Sequence, residues 1–155
     1  VRKALFSLLV LVAAQSLAAA DFRGTSWLMS RDEVAASEGT PGIPVADENG
    51  RQQVLFKTSV DGKSCSITYS FENDALVSAS YSFRADLNRE AYESMKKRIT
   101  GGYGAPAMEK GDMLAWRLPR TEIALTWLPD KSCYVVYWQK EYFARINGLT
   151  STESR

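Results

Sequence analysis

The chain contains no histidine. That absence removes Ser-His-Asp and Cys-His nucleophilic systems, and with them the commonest metal ligand. Cysteine is nearly as scarce: Cys65 and Cys133 are the only two, and they form no CxxC pair. Two cysteines without histidine make a poor zinc site and no thioredoxin-like redox motif. A surplus of charge is missing too, since 19 Lys and Arg face 18 Asp and Glu. A near-neutral chain lacks the phosphate-neutralising excess on which nucleic-acid binding rests. Lys96-Lys97-Arg98 is the one basic cluster, and it reads as a solvated helix face. No metal or cofactor motif is present, so neither is expected.

Long apolar runs are also absent. Ala4 to Ala14, broken only by Ser7, is too short for a good transmembrane anchor. It follows Arg2 and Lys3 and precedes Ala18-Ala19-Ala20, a small-residue cleavage site before Asp21. This pattern predicts a secretory signal peptide over residues 1–20, with an uncleaved anchor as the minor alternative. Its removal takes the charge from +1 to −1 by deleting Arg2 and Lys3. The remaining chain is long enough for one self-sufficient core, expected over residues 21–148. Residues 149–155 read as a disordered tail. The expected location is periplasmic or secreted, with no stable membrane anchor after cleavage.

What the chain does have is a pair of matching segments. Asp61-Gly62-Lys63-Ser64-Cys65 and Asp130-Lys131-Ser132-Cys133 each lead from a turn into a strand-like run, with Tyr69 and Tyr137 four residues beyond the cysteines. The match suggests an approximate internal duplication. An oxidising compartment favours a disulfide between Cys65 and Cys133. It would close a loop of 133 − 65 = 68 residues and stabilise by ~4 kcal/mol. The alternative is two separate buried thiols.

Residues 21–29 read as extended. Ser30 and Glu33 form a capping box, flanked by the Met29 and Val34 staple, and Gly39 stops a helix of about two turns. Gly39 to Gln53 reads as a loop. Strands are predicted over Val54–Val60, Ser64–Glu72 and Ala75–Arg84, the last with Val77, Ala79, Tyr81 and Phe83 inward. A helix over Asn88–Thr100 carries the stripe Leu87, Ala91, Met95, Ile99 and ends at Gly101-Gly102. Three more strands are predicted at Met113–Leu118, Glu122–Leu128 and Ser132–Gln139, then a helical turn at Glu141–Ile146. The expected fold is α+β: an antiparallel sheet of about six strands with two helices on one face, in the order α-β-β-β-α-β-β-β.

The segment Phe22 to Val34 resembles the opening of a group of small exported bacterial proteins, which reads Trp-Gly-Met-Ser followed by Glu-Val on a short helix. Gly62, Tyr69 to Phe71, Leu76 with Tyr81 to Phe83, and Tyr103-Gly104-Ala105-Pro106 continue the resemblance across most of the mature chain. Here Leu28 stands where glycine is usual. The helix-then-strands units are also similar to the β-lactamase-inhibitor-protein-like fold and to small outer-membrane assembly lipoproteins, although no lipidation cysteine follows the cleavage site. The resemblance implies fold and export, and no activity.

Local matches to catalytic motifs are thin. Ser94-x-x-Lys97 lacks its companion motifs, and Tyr92-x-x-x-Lys96 lacks a nucleotide-binding fingerprint, so both read as helix surface. Gly101-Gly102-Tyr103-Gly104 follows a helix instead of opening one, unlike a phosphate cradle. The acidic pairs Asp32/Glu33, Asp47/Glu48 and Glu72/Asp74 fall on a helix start, a loop and a turn. Two surfaces remain. Ser66, Thr68, Ser70, Ser78, Ser80 and Ser82 form a polar sheet face, solvated or else a flat binding surface. Tyr134, Val136 and Trp138 share the second face of the last strand, either covered by the C-terminal segment or exposed as an interaction surface. The leading expectation is an exported, non-catalytic binding module of the bacterial envelope with a protein partner. An inhibitor of a secreted hydrolase comes second, and a small histidine-independent enzyme third.

Overall fold

The helix start at Ser30 closes as its sequence requires. In the computed structural model, which describes residues 20–46, 51–84, 88–129 and 132–149, the Glu33 N–H donates to Ser30 Oγ at 3.4 Å. The Ser30 N–H donates to Glu33 Oε2 at 2.8 Å. This reciprocal box opens α1 (Arg31–Glu38), and Gly39 ends it at φ 72°, a left-handed conformation that glycine adopts without strain. The expected signal peptide, Asp47/Glu48, Leu87 and the tail from residue 150 lie outside the described residues.

Four strands come after α1: β1 (Ile43–Ala46), β2 (Gln52–Val60), β3 (Lys63–Glu72) and β4 (Ala75–Phe83). Then come α2 (Asn88–Tyr103), β5 (Met108–Lys110), β6 (Met113–Arg117), β7 (Thr121–Trp127), β8 (Cys133–Gln139) and α3 (Lys140–Ile146). Among the described residues the sheet is antiparallel and eight-stranded, in the order β1-β2-β3-β4-β8-β7-β6-β5. Helix-then-four-strands therefore occurs twice, and the two halves join through β4 and β8. The expected six strands and two helices are corrected to eight and three. The missed strands, β1 and β5, are the two sheet edges, where a strand pairs on one side only. β1 contains Pro44, tolerated at an edge because no ladder N–H is needed there. β5 is exposed at every position, so no alternation marks it.

Tight turns join the strands where the sequence supplies residues that accept left-handed backbone. Asp61 and Gly62 take φ 50° and 77°, and Asn73 and Asp74 take 51° and 61°. α2 runs through Gly101 and Gly102, contrary to the expected stop. The left-handed conformation falls on Gly104, at φ 84°, so the helix continues to Tyr103.

Register fixes the faces. Tyr69, Ala79, Tyr137, Ile123 and Trp116 lie side by side across five strands, as do Ile67, Tyr81, Val135, Leu125 and Leu114. These residues, with Val34 of α1 and Ala91, Met95 and Ile99 of α2, form the buried core. A bulge shifts the register between Ser70 and Phe71, so that Phe71 pairs with Leu76. The expected inward Val77 is thereby displaced: Leu76 joins the core and Val77 does not.

Residues 21–29 are not simply extended. Phe22 and Thr25 bridge across a turn whose left-handed residue is Arg23, at φ 53°. Phe22 then packs on Tyr69, Tyr81 and Tyr137, with ring centroids 5.5, 5.0 and 4.9 Å away. The Leu28 N–H donates to the Leu76 carbonyl at 2.9 Å. Leu28 itself sits at φ 72° and is 62% exposed. Leu28 thus holds a conformation that glycine favours sterically.

The expected disulfide does not form: Cys65 and Cys133 are both free and buried. Cys65 pairs with Phe83 on β4, and Phe83 pairs with Cys133 on β8. The two cysteines are therefore two strand spacings apart, about 9.6 Å. A disulfide needs Cα atoms within about 7 Å. With the Phe83 strand between them, the sulfurs act as small core hydrophobes.

Candidate functional site: the open face of the sheet

The two sheet faces receive different cover. α1, α2 and the N-terminal turn pack on the core face. α3 takes the opposite face, where the Trp138 and Phe143 rings meet at 5.2 Å. Among the buried apolar side chains, Val77 and Tyr142 stand outside the main core. They mark a small second layer beneath α3. The Tyr142 hydroxyl accepts from Arg51, and Arg145 pairs with Glu72. These contacts hold α3 over the end of the sheet near the β3–β4 turn.

The rest of this face is uncovered by helices, and the register shows what it presents. One row reads Ile43, Leu55, Thr68, Ser80, Val136, Ala124, Ala115, Met108 from edge to edge. The next row reads Lys57, Ser66, Ser82, Tyr134, Thr126, Met113, Lys110. Ile43, Val45, Met108 and Tyr134 are exposed large apolar side chains, and all four belong to this face. The surface is flat, mainly small-residued, and basic at both ends of its second row.

The structure divides the expected site. Tyr134 is 36% exposed and Val136 is half-buried. Trp138 is largely committed to Phe143 and belongs to the support of α3. The serine and threonine carpet joins Tyr134 and Val136 on one surface, with Ser70 and Ser80 buried and the others more open. Gln53 Nε2 donates to Ser70 Oγ at 3.1 Å, so Ser70 is satisfied at the covered end. Sequence reading missed Leu55, Ala115, Ala124 and Met108. Ala115 and Ala124 were legible only as small residues on otherwise polar strand faces, and Met108 lay in an unrecognised strand.

One acidic group sits at the margin of α3. Glu122, opposite Trp138, is 6% exposed. Burial pushes its carboxyl above the ordinary range, and Arg117 and Lys140 pull the other way. The Arg117 Nε lies 3.9 Å from Glu122 Oε2.

The helix motifs serve as ties. Ser94 Oγ donates to Asp61 Oδ2 at 2.7 Å, fastening α2 to the β2–β3 turn. Tyr92 packs edge-on against Trp127 at 6.2 Å, with the Arg89 guanidinium over both rings. Asp74 receives Arg31 at 2.8 Å, joining the β3–β4 turn to α1. Among the described residues no cluster of three His, Cys, Asp or Glu side chains could hold a metal ion. No described helix is long and apolar enough to cross a membrane.

No protein-family model, curated protein or solved structure matches this chain.

Proposed function

We propose that this chain is an exported, non-catalytic binding module of the bacterial envelope, and that it engages a protein through the open sheet face. The observation that carries the reading is the helix-free outer face of the sheet, where Ile43, Val45, Met108 and Tyr134 are exposed and small, mostly half-buried side chains lie between them, while the other face is used by the core. Exposed large apolar side chains grouped on one flat face suit an interaction site, and aromatic residues are enriched in such sites. Export is supported by the signal-peptide pattern.

Inhibition of a secreted hydrolase is the second reading. The repeated helix-then-strands order is what suggests it, through the resemblance of such units to the inhibitor-protein-like fold. It ranks second because fold alone is a weak warrant for function.

The test is photo-crosslinking in intact envelopes from Thr68 and Ala124 on the open face, with Lys97 on α2 as control. The expected result is a discrete protein adduct from the first two positions and none from Lys97. Equal labelling from all three, or none, would refute the reading. Thr68→Arg and Ala124→Arg should abolish the adduct formed from a probe at Tyr134 while leaving the circular dichroism spectrum unchanged.

A further inference from the structure

The core side of the sheet carries a second feature, built from residues far apart in sequence. Between α1 and α2 lie two adjoining cavities of about 460 and 260 Å³, and Arg23, Tyr81 and Arg98 line both. Tyr103 and Tyr137 line the smaller one.

Each guanidinium is aimed by a carboxylate that is itself occupied. Arg23 donates from Nε and Nη2 to the two oxygens of Glu38 at 3.0 and 3.2 Å. Glu38 also accepts from the Tyr69 hydroxyl. Arg98 donates to one oxygen of Asp61 at 3.3 Å, while the other oxygen accepts from Ser94. An arginine has five N–H donors, so both keep donors to spare. The Tyr81 hydroxyl faces the Arg23 guanidinium. The Tyr137 hydroxyl makes no hydrogen bond among the described residues. Its ring is nevertheless held by Phe22 at 4.9 Å.

The backbone at Arg23 adds an independent sign. Its φ of 53° is a left-handed conformation that a non-glycine residue adopts only at a steric cost. Glycine occupies position 24, yet the left-handed residue of the turn is the arginine. Such strain persists where a side chain must be delivered to a site, and ligand sites are where it concentrates.

We propose that this cleft binds a phosphomonoester group, with Arg23 and Arg98 as its two walls and the Tyr81 and Tyr137 hydroxyls as its floor. Glu38 and Asp61 also line the larger cavity, but their oxygens are engaged by Arg23, Tyr69, Arg98 and Ser94; the spare guanidinium N–H groups and the hydroxyls are left as donors for an acceptor ligand. They approach from two walls and a floor, which suits a tetrahedral oxyanion better than a planar carboxylate, for which one arginine fork suffices. The combined space is of small-molecule size. This site lies on the opposite side of the sheet from the open face and stands independently of it.

Calorimetric titration of the purified protein with glycerol 3-phosphate, inorganic phosphate and glycerol tests the proposal. Binding is expected for the two phosphates and not for glycerol. Arg98→Ala, at a largely exposed side chain, should weaken glycerol 3-phosphate about tenfold or more through loss of charge-assisted hydrogen bonds. Tyr137→Phe, which keeps the packed ring, should weaken it severalfold. Circular dichroism should be unchanged in both. Vesicles containing phosphatidic acid separate the sources. Retention that Arg98→Ala abolishes assigns the group to a lipid headgroup, and no retention alongside glycerol 3-phosphate binding assigns it to a soluble ester. Equal affinity for glycerol and glycerol 3-phosphate, or affinity unchanged in both variants, overturns the proposal.

Discussion

Adding a reductant should leave the stability of this protein unchanged, although the chain reads as exported and has two cysteines. A bridge closing the 68 residues from Cys65 to Cys133 would stabilise the fold by ~4 kcal/mol. In a domain of this size each kcal/mol moves the melting temperature by about 3–5 °C. Reduction of a bridged protein would therefore lower the melting temperature by roughly 15 °C. The sheet register instead puts Phe83 between the two cysteines, at a Cα separation of about 9.6 Å against a ceiling near 7 Å. The expected shift on reduction is under about 1 °C, since nothing covalent changes. Thermal unfolding followed by circular dichroism, with and without phosphine reductant, reads this directly. Thiol counting adds a second reading. Protein unfolded in guanidinium without reductant should expose two thiols, whereas folded protein should label very slowly. Burial pushes the Cys133 thiol up to about 12, leaving about one molecule in ten thousand as thiolate at pH 8. An intact mass two hydrogens lighter than the reduced chain, or a fall of 10 °C or more on reduction, would refute the register argument.

Alkali should unfold the protein. Burial, first among the causes, raises the pH at which Tyr69, Tyr81, Tyr137, Cys65 and Cys133 ionise. The unfolded chain sheds these protons from about pH 9 upward while the folded chain keeps them. Stability then falls with rising pH, by about 1.4 kcal/mol per pH unit for each retained proton; a flat denaturation midpoint from pH 8 to 11 would contradict this. Glu122→Gln should raise the melting temperature at pH 7, because desolvation disfavours the buried carboxylate. It should do nothing below pH 4, where both folded and unfolded carboxyls are protonated. Trp138→Ala should cost about 2 kcal/mol by stripping α3 of its ring contact, whereas Tyr134→Ala should cost less than about 1 kcal/mol; equal losses in chemical denaturation would show that α3 does not depend on Trp138.

Much of the local structure was legible. The Ser30–Glu33 box, the Asp61-Gly62 turn and the alternation from Cys65 to Phe71 each encode their element within a few residues, because caps, turns and pleats are short-range devices. The edge strands β1 and β5 were not legible, since they bury little and so carry no alternation. The candidate surface was half legible. The alternation of β8 put Tyr134, Val136 and Trp138 on one face, but only the docking of α3 separated exposed Tyr134 from covered Trp138. The matching cysteine segments were misleading. They fall on the third strand of one half and the fourth of the other, so the doubling is real in element order but is not what the cysteines mark.

By itself the sequence determined which side of most of the inner strands is apolar and where most turns and helix caps fall. It also excluded histidine-dependent chemistry. Only the tertiary structure decided which strands are neighbours, because pairing is set by contacts between residues tens of positions apart. The meeting of β4 with β8 holds the two thiols apart, builds the open row around Ser80 and Val136, and carries Tyr81 and Tyr137 to the cleft where Arg23 and Arg98 converge. A single bulged residue at Val77 could change which side chain enters the core, and no periodicity in the chain announces it.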